Sequence, residues 1–130
     1  MVRTGGDVLF EYLEVVPRLR PGVLVHVHDI FLPFEYPLPW SRDLKWFWTE
    51  QYLVQAFLAF NTEFEIVLAL KYLNAHHRES LARAAPVYAG QRDAGPASLW
   101  IRRVAENSPS AKLDAVVRFT GASSKACQEH

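Results

Sequence analysis

The order of apolar patterns along this chain predicts an α/β fold. Three observations carry that prediction. Runs dense in Val, Ile and Leu recur three times; helical periods separate them; and the resulting string is helix, strand, loop, helix, strand, short helix, strand. Of 130 residues, 50% are hydrophobic and 13% aromatic, which suffices for one core and one domain.

Each element has a local reason. Residues 7–19 have helical spacing, with Leu9, Leu13 and Val16 as the apolar stripe. Asp7 is placed to cap, Glu11 suits the first turn, and Arg18 and Arg20 suit the negative end before Pro21-Gly22 stops the helix. "GVLVHVH" (22–28) opens apolar without alternation, as expected of a strand covered on both faces. From 29 to 42 neither period is present. Pro33, Pro37 and Pro39 oppose regular structure, while Phe31, Phe34, Tyr36 and Trp40 are too apolar for a plain solvent loop, and long irregular segments in compact domains are usually functional. Helix is expected again over 43–60, with Trp46, Leu53, Val54, Phe57 and Phe60 inward and Gln51 and Gln55 on a polar side. A second strand follows over 63–73. Asn74 then caps a short helix that ends at Pro86, "GQRDAG" is loop, and "ASLWIRRV" is a third strand with Leu99 and Ile101 on one face. After residue 104 the composition turns to Ser, Ala and Lys. This assigns the ordered domain to 1–104 and a weakly ordered tail to 105–130, in which only "LDAVVRF" has the pattern to order.

The bulk numbers exclude some classes. Fourteen basic and fourteen acidic residues cancel, so charge gives no argument for nucleic acid or an anionic membrane. No apolar run reaches bilayer length, and no membrane association is expected. A single cysteine, Cys127, fits a reducing, cytoplasmic setting.

Chemistry concentrates at the end of the first strand. In a regular strand His26 and His28 share one face, and Asp29 takes the other. Ligands of open α/β sheets bind outside the carboxyl ends of strands. His28 and Asp29 fall at such an end, and imidazole with carboxylate can ligate a divalent metal or remove a proton. His26 reads instead as a hydrogen-bonded core histidine. Glu50 falls on the apolar stripe of its helix. Either it pairs with Arg42, Lys45 or a histidine, or it faces a substrate pocket, and burial would raise its pKa. His76 and His77, adjacent on a helix, read as surface residues. There is no GxGxxG after a strand, no GxSxG, no metal-type cysteine pair and no HExxH.

Two segments carry a resemblance. "GGDVLFEYLEVVPRLRPGVLVHVHDIFLPFEYP" and "FWTEQYLVQAFLAFNTEFEIVLA", together with "LWIRR", resemble a group of bacterial class I S-adenosylmethionine-dependent methyltransferases. Those proteins show "LPRLKPG", "GVLVHIHDIFLP", "EQYLLQAFL" and "WLRR" at the similar places. The resemblance implies a partial Rossmann-like sheet, comprising the last three strands with the final one antiparallel, and flanking helices. It also implies that the Gly-rich loop and acidic residue that bind the cofactor belong to a preceding half, so that no cofactor-binding residue is expected here. This chain would be the C-terminal half, supplying the acceptor side and inactive alone. His28 would act as base. Asp29 is similar to the strand-end carboxylate that binds a divalent cation in catechol-type enzymes, with His28 beside it. Phe31, Phe34, Tyr36, Trp40 and Glu50 would line the site of a small-molecule or glycan-like methyl acceptor. Two alternatives stand beside this: a non-catalytic assembly module that self-associates through an exposed sheet edge, and a small metal-dependent hydrolase using His26, His28 and Asp29.

Overall fold

The computed structural model describes residues 2–87 and 95–104. The predicted tail and most of the "GQRDAG" loop lie outside them. Within them the chain is mixed α/β, with one open three-stranded sheet. Helix α1 (residues 7–18) starts as α-helix over Asp7–Phe10, widens to a π-helical Glu11–Val15 and tightens to a 3-10 turn over Val16–Arg18. Strand β1 is Leu24–His28, and a short helix α2, Leu38–Arg42, interrupts the aromatic loop. Helix α3 is Glu50–Ala59, β2 is Phe64–Ala69, α4 is Leu70–His76, α5 is Arg78–Ala84 and β3 is Ser98–Arg103.

The sheet order is β1-β3-β2, and β3 runs antiparallel to both neighbours. β1 and β2 therefore point the same way, and their carboxyl ends share one rim. Val25 and Val27 of β1, Leu99 and Ile101 of β3, and Phe64 and Ile66 of β2 join the core. Val8, Tyr12 and Val16 of α1 and Val54, Phe57 and Leu58 of α3 cover that face. The rings of Tyr12, Phe57 and Phe64 meet edge-on in sequence across this seam. The opposite rim is tied by Arg103. Its guanidinium donates to the Pro17 carbonyl and, at 2.7 Å, to Glu63, and lies over the Phe64 ring. Its amide donates to the Val23 carbonyl at 3.0 Å.

Several expectations are corrected. β1 is covered on one face only: Leu24, His26 and His28 are exposed, because α1 and α3 pack against the other side. The buried stripe of α1 is Val8, Tyr12 and Val16, not Leu9, Leu13 and Val16; Leu13 is exposed, since the π-helical turn rotates the later residues relative to an ideal period. Asp7 is the first helical residue rather than the cap, and its carboxylate accepts from Val8 N–H. The long helix begins at Glu50, not 43. Lys45 has φ 58°, a left-handed conformation that no helix continues through, which leaves Trp46 partly in solvent. Phe60, placed inward from its spacing, is 96% exposed just past the helix end. Prolines do not exclude helix from the loop, because Pro39 falls in the first turn of α2, where a missing N–H costs nothing. β2 ends at Ala69, and Asn74 lies inside α4 rather than capping a helix.

Candidate functional site

The rim formed by the carboxyl ends of β1 and β2 brings the chemistry together. Asp29 leaves β1 with φ 55°, a left-handed turn that an Asp tolerates better than most residues. In a continuing strand its side chain would face away from His28. The turn instead sets Asp29 Oδ2 3.2 Å from His28 Nδ1. The imidazole is 80% exposed, so its other nitrogen stays open to a substrate. His26 does not join this pair, nor is it a core residue as expected: it is exposed, because it points to the open face of the sheet, where its ring lies 4.5 Å from that of Trp100.

Gln51 holds the loop. It is 1% exposed. Its Oε1 accepts from Phe31 N–H at 2.7 Å, and its Nε2 donates to the Phe34 carbonyl at 3.0 Å. Its own N–H donates to Tyr36 Oη at 3.0 Å, so a loop tyrosine satisfies one of the free amides at the start of α3. Gln51 was expected on a polar side, yet it shares a helix face with Val54 and Leu58 at i+3 and i+7, and that spacing is the signal for its burial. The loop aromatics pack as a chain of edge contacts: Phe31 with Tyr36 and Trp40, Tyr36 with Tyr52, and Trp40 with Trp46 and Trp48. Phe34 turns the other way and stacks on His76 of α4. Lys71 lies 5.5 Å above the Phe31 ring. The loop is thus fastened to both α3 and α4.

Glu50 is the first residue of α3 and is partly buried. It pairs with neither expected cation: Arg42 binds Asp43, and Lys45 donates to the Arg42 carbonyl. Burial raises its pKa above the usual carboxylate range; His28 opposes that rise, and Glu11 and Asp29 add to it. Burial likewise raises the Tyr12 and Tyr36 hydroxyls, with Glu50 contributing to both. Glu50 is the charge common to these shifts: it raises both hydroxyls, and is itself acted on by His28, Glu11 and Asp29. Tyr52 donates to Glu35 at 2.7 Å, and this hydrogen bond, more than burial, pushes its pKa up to about 12.

Chemically, the arrangement offers an exposed imidazole oriented by a carboxylate, a partly buried second carboxylate and an aromatic wall. Asp29 favours the tautomer with the proton on Nδ1, which leaves Nε2 as the acceptor of a proton. For a metal, His28 and Asp29 supply two donors bonded to each other, and no group of three or more His, Cys, Asp or Glu placed to hold an ion occurs among the described residues. No described helix is long and apolar enough to cross a membrane. Comparison with protein-family models, curated proteins and solved structures returns no match for this chain.

Proposed function

We propose that the chain is the acceptor-side half of a class I S-adenosylmethionine-dependent methyltransferase. The observation that carries this reading is the placement of His28-Asp29 and the aromatic loop at the carboxyl rim of a sheet whose last strand runs antiparallel to the other two. Both the strand direction and the rim are what the resemblance in "GVLVHVHDIFLP" and "EQYLVQAFL" implies.

The described residues do not themselves fit the cofactor. Gly5 and Gly6 precede α1, Gly22 precedes β1 and Gly95 precedes β3. None follows the end of a strand, where a phosphate- or nucleotide-type cradle forms. The donors at His28 and Asp29 do not make a cation site by themselves either. What this chain contributes is the acceptor's surroundings. Tyr36 and Trp40, both partly exposed, hold an apolar or ring-shaped acceptor by packing; Phe31 is buried behind them rather than lining the site, and Gln51 keeps that wall rigid. His28 Nε2 accepts the proton of an acceptor hydroxyl or amine, and Asp29 stabilises the imidazolium that results.

Two measurements test this. In calorimetry the isolated chain takes up no S-adenosylmethionine at concentrations up to about 1 mM; micromolar binding would contradict the division of roles. Co-expressed with a cofactor-binding half of a methyltransferase of this type, the chain should support methyl transfer to small hydroxylated acceptors. His28→Ala should then lower the rate by about 10²-fold or more. Activity that survives both His28→Ala and Asp29→Asn removes these residues from the mechanism.

A further inference from the structure

β1 lies at one edge of the sheet and, among the described residues, has no neighbour on its outer side. The register shows which of its groups face outward. Arg103 N–H donates to the Val23 carbonyl, so that carbonyl, and with it the backbone groups of 25 and 27, faces β3. Leu24, His26 and His28 therefore point their N–H and C=O groups away from the sheet. The two edges are protected differently. β2 carries a bulge between Ile66 and Leu68 and a carboxylate, Glu65, that bonds Arg102 across the strands. Bulges and charges are what blunt an edge against pairing. Between Leu24 and His28, β1 has neither: its register is regular and it contains no Lys, Arg, Asp, Glu or Pro, the two residues that both face Arg103, Gly22 and Val23, lying before it.

We propose that two copies of this chain pair through β1, antiparallel about a two-fold axis at His26. The outward residues are symmetric about that point. Leu24 of one copy faces His28 of the other, His26 faces its counterpart, and each facing pair exchanges two hydrogen bonds. Val25 then neighbours Val27 of the second copy, so the covered faces of the two sheets run on as one six-stranded sheet. The β2 edges stay outermost and blunted, which closes the assembly at two. A contact built mainly from one strand pair is small, so the affinity should be micromolar rather than nanomolar. This inference does not depend on the methyltransferase reading. A cofactor-binding half that adds a strand beside β1 would compete for the same edge.

Sedimentation equilibrium of the full chain at about 100 µM tests it. A species near twice the 14.9 kDa monomer mass is expected. His26→Pro removes an N–H that faces outward, so it should abolish the dimer while keeping the circular dichroism and cooperative unfolding of the parent. Val25→Pro removes an inward ladder bond and should instead unfold the chain. Amides of Leu24, His26 and His28 should gain exchange protection as concentration rises. A monomeric parent, a His26→Pro variant that dimerises as well as the parent, or growth into species larger than a dimer would each overturn the proposal.

Discussion

At the scale of single residues, the site is a contest between burial and charge, and Glu50 shows which term wins. Its folded-state pKa is raised, so the folded protein binds this proton more tightly than the unfolded chain does. That contribution to stability is complete below the unfolded value and disappears as pH rises through the raised one. Glu50→Gln removes the titration. The melting temperature of the variant should exceed the parent's at about pH 8, and the difference should shrink toward zero below about pH 4. A difference that does not change with pH would mean that Glu50 ionises without cost. Residue identity made part of this legible. A carboxylate on an apolar stripe and a His-Asp pair at a strand end are anomalies that a sequence displays. The contact between them was not displayed, because strand alternation puts residues 28 and 29 on opposite faces. Only the left-handed backbone at Asp29 brings them together.

Elements were legible where one period dominates and illegible where conformation switches within a few residues. β3 is the clear case: Leu99 and Ile101 are both fully buried, as their alternation requires. α1 passes through three helical geometries, and its burial pattern follows the π-helical turn rather than an ideal period. The boundary between β2 and α4 has no Gly, Pro or capping residue, so the apolar run over 63–73 hid a change of state at Leu70. The aromatic loop depends on α3 more than its own residues suggest. Gln51→Leu keeps the volume but leaves Phe31 N–H and the Phe34 carbonyl without their partner, at a cost of about 2 kcal/mol or more. In urea this should lower the midpoint without changing the slope. An unchanged midpoint would show that the loop holds itself by ring packing alone.

At the scale of the whole molecule, the antiparallel placement of β3 gives the sheet two unlike ends. One rim is where Arg103 joins the end of α1 and the starts of β1 and β2, through the Pro17 carbonyl, the Val23 carbonyl and the Glu63 carboxylate. The other carries the pair at His28 and the loop, held by side chains from α3 and α4. This arrangement was the least legible in the sequence. Arg103 reads there as one charge in "LWIRR", and its partners lie 40 and 86 positions away. Its consequence is a gradient of opening free energy along the strands. Backbone amides of Arg103 and Val104 should exchange with solvent only in the rarest openings, whereas Phe31 and Phe34 exchange through smaller, local ones. Arg103→Met should level that gradient by speeding exchange at the tied rim, with little effect at the loop. Uniform protection in the parent would exclude it. A chain built this way can open at one end while the other keeps the strands in register, so that breathing near the imidazole need not become unfolding.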